Sequence, residues 1–589
     1  MLTCSRFLWV DIQLRALKSC GQGDVERALD DLPSDLDETY SRILNNFPHN
    51  ATTTSRARHV FECIAFARRP LTPAEVVEIF SINIESPSET CYEDDIADPE
   101  AYLLQKCPNL IDIVESENGG KVVQFIHFSV KEYLTSAEFK HAERPTRRYS
   151  FDNYFANITL VTICIAALDS NDLLPNLRQY AHQYWFEHVS PDAADALDEL
   201  LSHFLQPNSP SFVSWTGGQS TALHWSARLG LRNHTDRLLK GSNDINLLDA
   251  EQQTPLFRAA SNATFNAHFD TMRLLLEHGA SCTIQPCFSH RSVLHYAIHS
   301  PKAQVAKVIG FLVQQGAQVD ATMVGGHTAL HEATWWGKKE AMKALIDHGA
   351  NIHAFAGSQT PLHRATWCDR DVEAELLLSL GAFVDLTTGD GCTPLHFAAA
   401  FGPRATLRVL LNHDAAVDAR ATKRSVLGAN AGDIYVYIGS TPLHLAASEG
   451  HADACQILLS HGARINNLNQ DGNTLLHLTA YTRHLNVAHS PLVHRVTDRS
   501  DDANALCRAR DENGRTPLHY AAEKGNTKIA HLLLEHGALL DDPDQHGKTP
   551  LDLAENAGKL DVVSFLHGYG ASSRLDASSD ASQMTNVDC

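Results

Sequence analysis

Ten short phrases built on Thr-Pro-Leu-His divide the chain beyond Thr221 into units of nearly equal length. They read TALH at Thr221, TPLF at Thr254, SVLH at Ser292, TALH at Thr328, TPLH at Thr360, TPLH at Thr393, TPLH at Thr441, TLLH at Thr474, TPLH at Thr516 and TPLD at Thr549. Their leucines stand 33, 38, 36, 32, 33, 48, 33, 42 and 33 residues apart. A fixed period of this size means a stacked array in which each unit buries its apolar face only against its neighbours.

The residue types define the unit. Thr at an N-cap can satisfy a free amide of the first turn, Pro at the next position loses no hydrogen bond, and Leu opens the buried stripe. Thr360-Pro361-Leu362-His363, Thr393-Pro394-Leu395-His396, Thr441-Pro442-Leu443-His444 and Thr516-Pro517-Leu518-His519 are the intact copies. Gly230, Gly337, Gly402, Gly450, Gly525 and Gly558 follow at the distance where a left-handed residue ends a short helix. A second helix, rich in Leu, then runs to a Gly, as in Leu532-Leu533-Leu534 before Gly537. The unit is therefore a helix-turn-helix, and the array over residues ~218–573 resembles the ankyrin repeat family.

Two units are longer. Residues 419–439 add basic Lys423 and Arg424 and the β-favouring run from Ile434 to Ile438, which predicts an extended hairpin finger. Residues 484–510 lack the Leu-rich run and carry Pro491 and the acidic stretch Asp498–Asp502, a degenerate repeat. Residues 574–589 read as a disordered tail, being rich in Ser, Asp and Ala.

The first 215 residues show no such period. Leu29, Leu32, Leu36, Tyr40, Ile43, Leu44 and Phe47 keep the spacing of an amphipathic helix, and Thr72-Pro73-Ala74-Glu75 is a capping box. Leu110–Glu115 and Val122–Phe128 flank Asn118-Gly119-Gly120 as a β-hairpin, and Ser129-Val130-Lys131-Glu132 predicts a helix immediately afterwards. FLWVDIQLRAL at Phe7, LPSDLDETYSRIL at Leu32, RPLTPAEVVEI at Arg69 and FIHFSVKEYL at Phe125 resemble the end of a NACHT NTPase module and the winged-helix segment after it, as in fungal NACHT–ankyrin receptors. That resemblance implies a NACHT remnant at 1–30, a winged-helix-like domain at 31–140 and a helical linker at 141–215 before an array at 216–573. It also implies a relay between a nucleotide switch and a sensor array, with the phosphate-binding elements belonging upstream of Phe7. The expected class is mainly α, an ankyrin solenoid of about ten helix-turn-helix repeats preceded by a winged-helix-like α+β domain.

Catalytic and cofactor chemistry finds no address in the sequence. Gly547-Lys548-Thr549 imitates the end of a phosphate loop, but Asp542 stands where its first Gly belongs, and Gly119-Gly120-Lys121 is followed by Val122. Cys282, Cys287 and His290 form one ligand-like cluster, read as a loop insertion rather than a zinc site. Neither a G-x-S-x-G elbow nor an H-E-x-x-H helix occurs, so we expect no enzyme, cofactor or metal. The acidic run Glu93-Asp94-Asp95 is read as a solvated loop. With Lys+Arg 48 against Asp+Glu 70, the net charge of −22 opposes a phosphate backbone, so no nucleic-acid partner is expected. Thirteen scattered cysteines fit a reducing compartment, and the longest apolar stretch, Ile158–Leu168, is too short to span a bilayer. These features predict a cytoplasmic chain, with the nucleus as the other compartment, and no membrane insertion.

A protein partner is the expected ligand. Unit matching puts Trp335 and Trp367 at one equivalent position, with Trp336 and Phe401 one position later. Such aromatics are good anchors on a rigid surface, and they also pack well on the neighbouring stems. Glu332 and Arg364 follow the motif His on adjacent repeats as a mixed-charge rim, and Tyr435 and Tyr437 belong to the finger beside them. The expected function is a non-enzymatic scaffold or sensor holding a protein over the concave face of repeats four to six, in NLR-like signalling by resemblance. The alternative is the regulatory C-terminal part of a NACHT NTPase, and a ubiquitin-ligase adaptor is a weaker third reading. The N-terminal region is the place where self-association is expected.

Overall fold

A computed structural model describes residues 36–571 apart from 48–50, 85–95, 117–118, 142–144, 171–172, 191–192, 194–195, 242–243, 262–265, 286–288, 403, 428–433 and 489–499. The NACHT-like segment 1–30, Glu93-Asp94-Asp95, Cys287, Pro491 and the tail 574–589 lie outside the described residues. The described residues fall in two compact units divided between Ser281 and Cys282.

The first unit opens with α1 (Leu36–Asn45), α2 (Ala51–Phe66), α3 (Pro73–Ser81) and α4 (Pro99–Lys106), followed by strands β1 (Ile111–Glu115) and β2 (Lys121–Phe125) and helix α5 (Phe128–Thr135). The strands pair antiparallel with Ile113 opposite Val123. Leu71 adds a third, single-residue rung, its carbonyl accepting from Val123 N–H at 2.8 Å. Helix, rung, two helices and hairpin in that order make a winged helix. The box at Thr72 forms as its sequence predicts, with Thr72 N–H on Glu75 Oε2 at 2.8 Å and Glu75 N–H on Thr72 Oγ1 at 3.3 Å. Ser129 and Glu132, which have the spacing of a second such box, do not form one. Helix α5 starts earlier, with His127 as N-cap accepting from Ser129 N–H, because the Ser129 hydroxyl is engaged by Tyr40 at 2.8 Å and by the His127 ring.

Residues 137–216 continue as α6 (Ala137–His141), α7 (Asn153–Asp169), α8 (Pro175–Tyr184), a 3₁₀ turn (Trp185–His188), α9 (Asp198–Phe204) and α10 (Pro210–Thr216). One apolar core runs from Tyr40 through Leu160, Trp185 and Phe204 to Leu231. The helical segment thus adds its side chains to the core of the winged helix and of the first repeat. Trp185 is wholly buried, edge-on to Trp215 at 5.2 Å and to Phe204 at 5.3 Å.

Each of the ten phrases opens a helix, and in repeats 1 to 7, 9 and 10 a second helix follows it. Repeats 1 and 2 (Ala222–Leu229 with Arg232–Lys240, Pro255–Ser261 with Asn266–Glu277) belong to the first unit. Repeats 3 to 10 form the second unit, from Val293–Ala297 with Val305–Gln314 to Pro550–Asn556 with Leu560–Gly568. Pro361, Pro394, Pro442 and Pro517 each sit in the first turn, where a missing N–H costs nothing. Gly402 is left-handed at φ 78°, and a Cβ there would meet the His451 ring at 2.6 Å, so both the turn and the next repeat require glycine. Leu533 is fully buried, as a Leu-rich second helix predicts.

The motif histidines link the repeats. His224, His295, His331, His363, His396, His444, His477 and His519 each place Nε2 at 3.0–3.2 Å from a carbonyl oxygen belonging to the turn that leads into the next repeat. A carbonyl only accepts, so Nε2 carries the proton. Nδ1 then accepts from the capping hydroxyl at 2.7–2.9 Å. The ring therefore receives a bond from its own cap and gives one across. Burial holds six of these rings, those of His295, His331, His363, His396, His444 and His477, at a pKa of about 4, while His224 and His519 are lowered as well. Both ring nitrogens are occupied, which removes these residues as metal ligands. His278, His461 and His536, near the ends of second helices, place Nδ1 on the carbonyl four residues back at 3.0, 2.8 and 2.9 Å.

Candidate functional site

The first helices of repeats 4, 5 and 6 (Ala329–Trp335, Pro361–Trp367 and Pro394–Phe401) bring the predicted aromatics into one ladder. Trp335 and Trp367 meet edge to face at 6.0 Å between centroids, and Trp367 stacks on Phe401 at 6.0 Å with 20° between planes. The Arg364 guanidinium lies beside both tryptophans, 4.4 Å from the Trp335 centroid and 5.2 Å from that of Trp367. Burial lowers the Arg364 pKa, and its guanidinium also approaches the His327 ring at 3.3 Å. Cation–π contacts of this kind contribute about 0.5–2 kcal/mol according to how far they are desolvated.

Exposure separates the members of the ladder. Trp335 and Trp336 keep 38% and 52% of their surface open, with Trp336 edge-on to His299 at 5.8 Å. Trp367 and Phe401 are half-buried and pack on the cluster around Phe397 and Ala400. The repeat positions that looked equivalent thus have different roles: repeat 4 offers open rings, and repeats 5 and 6 support them.

Glu332 departs from the expected rim. It is buried, at 8% exposure, and its Oε1 accepts from Arg291 at 2.7 Å on the preceding repeat. Burial raises its pKa although Arg291 and Arg364 both oppose the rise. The mixed-charge rim is therefore a buried carboxylate with a partner 41 residues upstream, beside an arginine that faces the aromatic rings. Arg291 and His327 come from the turns before their repeats, where no motif position marks them.

The insertion 419–439 forms a hairpin from β3 (Ser425–Leu427) and β4 (Ile434–Val436), with Val426 opposite Tyr435. It is not a free finger. Leu427, Ile434 and Val436 are buried against Phe397, Ala400 and Leu445, because the alternation of the run gives it one apolar face. Tyr435 on the other face is 50% exposed. Tyr437 receives Arg424 over its ring at 5.2 Å and lines a cleft with Asp471, Tyr481 and Tyr520. Further exposed aromatics that the motif did not reveal are Phe355 and Phe383, the latter stacked on His353 at 4.2 Å. Among the described residues no group of three potential metal-ligating side chains occurs, and no helix is long and apolar enough to cross a membrane.

Family models agree with this architecture. Residues 192–286, 284–356, 423–495 and 489–576 match the family described as ankyrin repeats (3 copies), and residues 390–422 match the single ankyrin repeat. The chain belongs to the ankyrin repeat family. Residues 45–143 match the winged helix domain of GPI inositol-deacylase.

Relatives are partial. The chain is 25% identical over 299 residues to the azaphilone pigments biosynthesis cluster protein L of Monascus ruber, covering 44% of this chain and 62% of that one. It is 28% identical over 191 residues to inversin of Canis lupus familiaris, 30% of this chain and 17% of that one. The chain thus spans less than two thirds of each of these relatives. The crystal structure of the human ASB11 ankyrin repeat domain is similar at 28% identity, covering 39% of this chain and 96% of that one with a TM-score of 0.31.

Proposed function

We propose that this chain is a non-enzymatic scaffold, cytoplasmic or nuclear, that captures a protein partner on the first-helix surface of repeats 4 to 6. The observation that carries the reading is the Trp335–Arg364–Trp367–Phe401 ladder, in which rigid supported rings present Trp335 and Trp336 to the outside. Large aromatic side chains that are already ordered lose little entropy on binding, which makes them efficient anchors. The packed hairpin with its open Tyr435 borders the same set of helices and would set one edge of the contact.

The test replaces Trp335 and Trp367 by Ala together and compares proximity-labelled or cross-linked partners with those of the unaltered chain. Loss of a specific partner with an unchanged melting profile supports the reading. Retention by a folded double variant rejects it. A sensor role in which the winged helix relays the binding event is the second reading, favoured by the core that runs unbroken from Tyr40 to Leu231. It predicts that capture changes hydrogen exchange in α1 to α5.

A further inference from the structure

The two open tryptophans stand among cations. Trp336 has the His299 ring edge-on at 5.8 Å, and Trp335 has the Arg364 guanidinium 4.4 Å from its centroid. Burial lowers the His299 pKa, and Lys338 and Arg291 lower it further. Burial and then Arg364 lower that of His327, whose ring the guanidinium approaches at 3.3 Å. Both imidazoles therefore sit in a field of positive sign. The compensation is small. Glu332 acts on Arg364, but its Oε1 is already bonded to Arg291 at 2.7 Å, so this one carboxylate serves both arginines. Glu340 and Glu373 stand in the first turns of the second helices Lys339–Asp347 and Asp371–Ser379. Among the described residues no carboxylate comes within ion-pair distance of Lys338 or Arg364. A patch of this sign stands out in a chain of net charge −22.

We propose that the occupant of the Trp335–Trp336 face is an acidic peptide segment, whose Asp or Glu carboxylates meet Lys338 and Arg364 while apolar side chains beside them pack on the open indoles. The inference rests on the scaffold reading and names the class of its partner. Complementary charge around aromatic anchors sets which segments are admitted and how fast they arrive. The rest of the chain narrows the choice further. A long polyanion, whether nucleic acid or an anionic membrane, must also approach the acidic surface beyond the patch and is repelled there. A short segment with one or two carboxylates meets only the local cations.

The test passes a displayed library of random short peptides over the full chain and over its Trp335→Ala/Trp367→Ala variant, and reads the sequences that only the unaltered chain enriches. The expected result is an excess of Asp and Glu over Lys and Arg of about threefold or more among them. Calorimetry with the most enriched peptide should show binding about tenfold tighter than that of its Asn/Gln counterpart. Lys338→Glu should weaken that binding about threefold or more. The Lys338 side chain makes no capping bond at the start of Lys339–Asp347, and a carboxylate suits a helix N-terminus, so this variant keeps its fold. Tryptophan-dependent peptides without an acidic excess, or with affinity unchanged in the Asn/Gln counterpart or in Lys338→Glu, overturn the proposal and leave the scaffold reading standing. Absence of any tryptophan-dependent peptide also overturns it, while the scaffold reading is judged by the partner comparison above. Tighter binding of oligothymidylate or of phosphatidylserine vesicles than of the acidic peptide, lost in Lys338→Glu, makes a nucleic acid or a membrane the occupant and overturns it too. Self-association in sedimentation that the tryptophan variant abolishes does the same for a second copy of the chain.

Discussion

His363 donates from Nε2 to the carbonyl of Cys392, 29 residues ahead and in the next repeat, at 3.1 Å, while its Nδ1 accepts from the Thr360 hydroxyl at 2.8 Å. The ring is fully buried, so no water can replace either bond. His363→Ala should cost about 3–5 kcal/mol, the sum of a cavity and two orphaned partners. His413→Ala is the control: this half-exposed ring meets Glu375 at 3.1 Å, and its loss should cost about 0–1 kcal/mol. Urea unfolding followed by circular dichroism compares the two.

Acid should destabilise the array through the same rings. An imidazole with a folded pKa of about 4 and an unfolded value of 6.5 binds its proton first in the unfolded chain. The contribution to stability is therefore complete above pH 6.5, declines as pH falls through the window from 6.5 to about 4, and stops declining below it. Urea midpoints should fall steadily across that window, and His363→Ala should shallow the slope by about one proton's worth. A flat profile would mean that the rings are not held neutral.

Arg291 and Glu332 supply an asymmetric pair. Removing Arg291 leaves a carboxylate that is 8% exposed without its bonded partner, whereas Glu332→Gln leaves an arginine that still reaches water. Arg291→Ala should therefore cost more, about 1–3 kcal/mol, than Glu332→Gln, at about 0–1 kcal/mol. Thermal melts of the two variants check the order.

Arg364→Lys should not be a silent change. The Arg364 guanidinium lies 4.4 and 5.2 Å from the Trp335 and Trp367 centroids, and a compact, more strongly hydrated ammonium makes a weaker contact with the two rings. We expect about 0.5–1 kcal/mol lower stability and a changed tryptophan emission maximum, measured by fluorescence and denaturation.

The sequence disclosed what is repeated. Thr360, Pro361, Leu362 and His363 recur with a fixed period, and the first three do in the structure what their chemistry predicts: Thr360 caps the helix, Pro361 sits in its first turn and Leu362 is buried. What recurs only once was illegible. Leu71 forms a rung of a single residue, too short for any pattern to mark, and Ser129 lost its capping role to Tyr40, 89 residues away. Glu332 looked like a rim residue because its partner, Arg291, occupies a turn with no motif position. The hairpin was readable as strands, but whether it stands free depends on Phe397 and Leu445, which belong to other helices.

His396 reaches the carbonyl of Ser440 at 3.1 Å, the same distance at which His363 reaches Cys392, although 44 residues separate the first pair and 29 the second. His477 and Arg515, 38 residues apart, keep that distance too. The spacing between stacked helices is therefore set by one imidazole and one carbonyl and is indifferent to the length of chain routed between them. Each such turn works as a socket. Segments of different length are seated there at the same distance across the stack, and the one between His396 and Ser440 packs its own hairpin onto the neighbouring helices.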